Sequence, residues 1–190
     1  MLLNSKLVSI LIAGVLSALP SVSPAQENRN IFSTDNGNVS FRSDAPLELI
    51  DASSDKLRAV IDPDKRTFAF RVVIRTFKGF NGELQREHFN ENYMEIDKFP
   101  EATFTGKIIE QVDLTKDGVY SVRAKGSLRM HGVEQERIIK SSVTVKNGII
   151  QVHSVFNVLL VDHDIKIPKV VHEKIASEIF VDVNADFKKK

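Results

Sequence analysis

The residues with the widest chemical reach in this 190-residue chain are its five histidines, His88, His131, His153, His163 and His172. A zinc or metalloprotease site needs ligands that converge, as in His-Glu-x-x-His on one helix face. None of the five is paired that way or as His-x-His. The densest local set is Asp162-His163-Asp164. In an extended segment consecutive side chains point to opposite faces, so three neighbours cannot close on one ion. His131, which precedes Gly132, is expected to order a turn through a ring hydrogen bond, and His88 to tie a short helix to the rest of the molecule. His153 falls on an outward strand face.

Nucleophilic chemistry has as little support. The chain has no cysteine, which removes thiol catalysis, cysteine-ligated zinc or iron–sulfur centres and a disulfide framework. It carries no Gly-x-Ser-x-Gly elbow. Ser127, in Gly126-Ser127-Leu128, sits in the middle of a strand pattern and faces outward. No glycine-rich loop is present to cradle a phosphate, so no cofactor is expected. The 26 basic residues are balanced by 25 acidic ones, which argues against general nucleic-acid binding. Arg71, Arg75, Lys78 and Arg86 form either a basic rim for a lipid phosphate or an ordinary solvated face.

With no catalytic constellation legible, the interest shifts to the elements themselves. Residues 1–25 read as an export signal. Lys6 supplies the positive charge, Leu7 to Leu19 is an uncharged run of thirteen residues, and Ser23-Pro24-Ala25 offers a small-residue cleavage site. Thirteen residues of helix rise only about 20 Å, short of the roughly 30 Å hydrocarbon core. Cleavage after Ala25 is expected, leaving one domain over residues 26–190 in the periplasm or outside the cell. About 165 residues suit a single core.

That domain is dominated by alternation of apolar and polar residues with period two, the mark of strands with one dry face. The pattern is plain over Gly118 to Met130, Ile150 to Leu160 and Ile179 to Phe187. It is weaker over Val39 to Arg42, Leu57 to Ile61, Phe68 to Ile74, Ala102 to Ile108 and Ile139 to Val145. Asn147-Gly148, Asp117-Gly118 and Asp62-Pro63-Asp64 carry turn chemistry and predict antiparallel neighbours. Glu83 to Tyr93 places Leu84, His88, Phe89 and Tyr93 near helical spacing, and Pro100 ends that segment. A long irregular stretch covers Asp162 to Ala176, and Lys188 to Lys190 read as a solvated tail. The prediction is an all-β fold of eight antiparallel strands, either a sandwich or a closed barrel.

The order and spacing of His88-Phe89, Glu95-Ile96-Asp97-Lys98-Phe99-Pro100, Ala102, Phe104, Gly106, Gly118, Tyr120, Val122 and Gly126-Ser127-Leu128-Arg129-Met130-His131-Gly132-Val133 resemble the YceI-like family. Ile165, Pro168 and Ile179 to Val183 are compatible with it. The resemblance covers roughly Phe32 to Phe187. It implies a lipocalin-like antiparallel barrel of eight strands whose lumen takes a polyisoprenoid or fatty-acid-like chain. Members are commonly exported bacterial proteins. The family offers no shared catalytic motif to carry over.

Strand parity in this sequence then assigns the lumen: Phe70, Val72, Phe104, Tyr120, Val122, Leu128, Phe156, Val158, Val181 and Val183. An eight-stranded barrel is either filled by its own side chains or holds one slender ligand. Large inward residues such as Phe68 and Phe187 mix with Ala102, Gly106, Ala124, Gly126, Ser154 and Ala185, and tryptophan is absent, so a tube has room. The leading expectation is a noncatalytic carrier or store for a long isoprenoid, quinone or fatty-acid derivative. A metal-assisted hydrolase at the barrel mouth and a secreted interaction module with a filled core stay open, as do transient membrane contact and homodimer formation.

Overall fold

The computed structural model describes residues 30–190, so the expected signal segment lies outside the described residues. Eight strands run β1 (Phe32–Asp44), β2 (Leu49–Asp62), β3 (Thr67–Val73), β4 (Glu101–Ile108), β5 (Gly118–Met130), β6 (Val133–Lys146), β7 (Ile149–Leu159) and β8 (Glu178–Lys189). Each pairs antiparallel with the next, and β8 pairs back onto β1, closing the barrel. Every strand therefore has a hydrogen-bonded neighbour on each side along at least part of its length.

Several elements are longer than the alternation alone predicts. β1 and β2 extend well beyond Val39 to Arg42 and Leu57 to Ile61, because register shifts between Thr34 and Val39 interrupt the period; a bulge inserts a residue and flips the parity on one side of it. Lys188 and Lys189 are not a loose tail. They pair with Ser33 and Phe32 and finish the last strand.

Two hairpins turn tightly. His131 and Gly132 (φ 50° and 77°) join β5 to β6, and Asn147 and Gly148 (φ 52° and 74°) join β6 to β7. Both central residues lie at positive φ, the type I′ geometry that matches strand twist. Asp117-Gly118 does not make a hairpin. The nine residues from Ile109 to Asp117 separate β4 from β5, and the Asp117 carboxylate accepts from the Asn147 backbone N–H at 3.1 and 3.3 Å. Its side chain caps the neighbouring hairpin instead.

The two ends of the barrel differ. At one end Leu114, Ile150 and Phe187 are fully buried, with Phe32 and Val145 beside them, and form a floor. At the other end the long connections gather. The β3–β4 connection carries helix α1 (Glu83–His88), which widens into a π turn over Phe89–Tyr93. The β7–β8 connection forms 3₁₀ turns at Leu160–His163 and Lys169–Val171. The tip between β1 and β2 lies between these segments: the Leu47 N–H donates to the Glu173 carbonyl at 2.8 Å, and the Glu48 carboxylate accepts from Gln85 at 2.9 Å and Asn81 at 3.3 Å.

Candidate ligand-binding cavity

The inward faces of the strands do not fill the barrel. They enclose a cavity of about 680 Å³, within the roughly 300–1,000 Å³ range of small-molecule pockets. Its wall is built by parity. On β7, Val152, Ser154, Phe156 and Val158 face the bore, and on β8 Ile179, Val181 and Val183 do so. Val155 and Phe180, one residue out of phase, are exposed.

Of the ten lumen residues assigned from the sequence, nine border the cavity: Phe70, Val72, Phe104, Val122, Leu128, Phe156, Val158, Val181 and Val183. Tyr120 does not. Its hydroxyl donates to the Lys116 carbonyl at 2.9 Å and its ring lies against Gly118, which holds it near the floor beside the β4–β5 connection. A phenol there satisfies its polar end locally.

Phenylalanines close the cavity at both ends. At the floor, Phe68 lies 4.9 Å from Phe104 and 5.9 Å from Phe70, and Phe70 lies 5.8 Å from Phe187. At the mouth, Phe41, Phe77, Phe80 and Phe89 pack together with centroids 5.0–6.1 Å apart. Offset and edge-on contacts at such spacing are favourable for aromatic quadrupoles. Strand parity does not reach the mouth cluster. Phe77 and Phe80 fall in a connection with no period to read, and the helical spacing of Leu84 and Phe89 gives no direction to the barrel.

Small residues act in two ways. Ala102, Ala124 and Ser154 line the bore. Gly106 and Gly126 do not widen it. They face each other across β4 and β5, so close that a Cβ on Gly106 would sit 2.1 Å from the Lys125 carbonyl oxygen, and one on Gly126 2.2 Å from that of Thr105. These glycines permit backbone approach.

The histidines occupy scattered places. His131 Nδ1–H donates to the His163 carbonyl at 2.9 Å, and its Nε2 lies 3.1 Å from Glu95 Oε2, so the ring ties the β5–β6 hairpin to both long connections. Hydrogen bonding from Lys98, and then from His131, holds the Glu95 carboxyl below its ordinary range. His163 is wholly buried; its Nδ1–H donates to the Val133 carbonyl at 3.3 Å, while Nε2 has no partner among the described residues. Burial lowers its pKa. His88 is exposed and borders the mouth, His153 pairs with Asp182 on the outer surface at 3.2 Å, and His172 bonds the Lys169 carbonyl. Among the described residues no three His, Asp or Glu side chains come together as a metal site. Of the four basic residues considered for a rim, Arg71 pairs with Glu101, Arg75 with Asp97 and Arg86 with Glu83; Lys78 forms a backbone bridge to Ser53.

A closed antiparallel barrel with a deep apolar bore under a helical rim defines a lipocalin-like binding barrel. The match to the YceI-like domain runs over residues 31–187, and the chain belongs to that family. Among solved structures, a polyisoprenoid binding domain from Saccharophagus degradans, implicated in plant cell wall breakdown, is similar with a TM-score of 0.70 at 15% identity, covering 86% of this chain and 100% of that one. BcnA of Burkholderia cenocepacia matches with a TM-score of 0.65 at 14% identity, over 80% of this chain and 96% of its own. The YCEI protein of Campylobacter jejuni gives 0.57 at 14% identity, over 74% and 86%. At these identities the likeness is one of fold. Among curated proteins none matches the chain.

Proposed function

We propose that this protein is an exported, noncatalytic binding protein that holds one long apolar ligand, a polyisoprenoid, quinone or fatty-acid derivative, in its bore as carrier or store. The observation that carries this reading is the cavity of about 680 Å³ with its wall of valine, leucine, isoleucine and phenylalanine. Each methylene withdrawn from water contributes about 0.8 kcal/mol, so a chain seated there is held against dissolution. Moving the same chain from a bilayer exchanges one apolar medium for another. Loading and release are then close to balanced, as exchange with a membrane requires. Likeness of fold to a polyisoprenoid binding domain supports the same ligand class, and the amino-terminal sequence supports a periplasmic or secreted location.

Transient contact with a bilayer fits the rim. Leu47 (66% exposed), Leu84 (63%), Val161 (75%) and Val170 (88%) stand on separate segments at the open end. Exposed Lys166, Lys169 and Lys174 accompany them and form no ion pair among the described residues. Apolar tips beside unpaired lysines suit the interface of an anionic membrane.

The test is organic extraction of natively purified protein followed by mass spectrometry. The expected result is about one isoprenoid, quinone or fatty-acid derivative per chain. Protein repeatedly recovered empty, and refusing such lipids when they are offered, overturns the reading.

A further inference from the structure

Midway along the bore two hydroxyls interrupt an otherwise apolar girdle. Ser141 on β6 and Ser154 on β7 are register partners, both border the cavity, and their Oγ atoms lie 2.7 Å apart. The residues next to them round the barrel are Val122 on β5 and Val183 on β8, also on the cavity wall. This pair is the last of the β6–β7 ladder. Beyond it β6 continues only with β5 and β7 only with β8. Side chains then span the fork: Gln135 donates to the Asp162 carbonyl at 2.7 Å and Arg137 to that of Asn157.

A serine hydroxyl has one hydrogen to donate and two lone pairs. Facing each other, the two serines use one hydrogen between them. The second is left without a further side-chain partner among the described residues, on a cavity wall where an unmade hydrogen bond is costly. No residue of this girdle carries a charge. Of the titratable side chains that border the cavity, Glu48, His88 and Lys174 stand at the mouth, and the Arg71 guanidinium is already paired with Glu101. A carboxylate or phosphate at the serines would lack a counter-charge, whereas a carbonyl oxygen needs only the free hydroxyl hydrogen.

We propose that Ser141 and Ser154 form an interior anchor that donates one hydrogen bond to an uncharged oxygen of the ligand, a quinone or other carbonyl, so that the oxygenated end enters the bore first. The anchor sets the depth of the ligand and favours oxygenated chains over plain hydrocarbons. It rests on the lipid-binding reading above.

The experiment compares a benzoquinone carrying a four-isoprene tail with the same tail on benzene, titrated into wild type, S141A/S154A and the hydroxyl-retaining Ser154→Thr. One neutral hydrogen bond corresponds to a loss of about threefold to tenfold. The double variant is expected to lose that much for the quinone and nothing for the hydrocarbon, while Ser154→Thr keeps the quinone preference. A 13C-labelled quinone carbonyl is expected to absorb at lower frequency in wild type than in apolar solvent, and to return in the double variant. Equal affinity of wild type for both probes, or an unshifted carbonyl band, overturns the anchor and leaves the lipid-binding reading standing. Failure of wild type to bind either probe overturns both.

Discussion

Phe41 on β1 stacks on Phe89 of the π turn, with ring centroids 5.3 Å apart and planes inclined by 21°. The contact joins the barrel wall to the first residue after helix α1, and Phe77 and Phe80 complete the cluster. No residue of α1 itself is buried. The segment is therefore held to the mouth mainly through Phe89 and its neighbours, with Gln85 and Asn81 bonding Glu48 at the edge.

Removing that ring should loosen the cover without emptying the core. Phe89→Ala is expected to cost about 2 kcal/mol, below the 3–5 kcal/mol of a fully buried phenylalanine because Phe89 is half-buried. Ligand release should quicken at the same time. Denaturant midpoints and the dissociation rate of a fluorescent long-chain lipid measure the two effects; an unchanged rate alongside lost stability refutes the covering role.

A plug tests the bore from the other direction. Val183 borders the cavity, and the empty volume can receive a larger side chain at less than the usual overpacking cost of about 1–3 kcal/mol. Val183→Trp should keep a cooperative fold and lose most lipid binding. Retained binding in a folded variant contradicts a ligand seat in the bore.

The β4–β5 contact makes a sharper stability prediction. Because the atoms that a Cβ on Gly126 would strike belong to the backbone of Thr105, the strands must part. Gly126→Ala is expected to destabilise by about 2–4 kcal/mol, read as a fall in thermal midpoint. A neutral result contradicts the close approach.

His163 predicts a pH dependence. Burial keeps its folded pKa below the ordinary value of 6.5; Asp162 acts against this and Arg137 with it. The unfolded chain therefore takes up the proton first as pH falls. The stabilisation from the neutral ring is complete above about pH 6.5 and is lost progressively below it, towards the folded pKa. His163→Asn should flatten the decline of thermal midpoint between pH 7 and 5. An equally steep decline in the variant refutes the assignment.

The rim predicts sedimentation with anionic vesicles. Replacing Leu84 and Val170 by serine should reduce binding several-fold, and so should raising the salt, which screens Lys166, Lys169 and Lys174. Binding indifferent to both changes contradicts contact through the open end.

Most of the wall was legible because period two is set by the pleat itself. Alternation alone turns every second residue of Ile150 to Val158 and of Ile179 to Val183 inward. What parity could not reveal is position along the barrel. Tyr120 has the inward phase yet sits at the floor, because depth depends on strand register and on the Ile109 to Asp117 loop. Gly106 and Gly126 likewise read as small lumen residues, although their role depends on a partner strand. The mouth phenylalanines Phe77 and Phe80 belong to a connection, where no repeat points a side chain anywhere. The joining of Ser141 to Ser154 follows from the Asn147-Gly148 turn, since a two-residue hairpin fixes which residues stand opposite.

Photolabelling tests the central claim most directly. A long-chain isoprenoid carrying a diazirine near the middle of its tail, equilibrated with the native protein and irradiated, is predicted to attach at bore residues such as Phe70, Val122 and Val183, one label per chain and displaced by unlabelled lipid. Labels confined to the outer strand faces, around Val155 and Phe180, or labelling that excess lipid leaves unchanged, would contradict a ligand held inside the barrel.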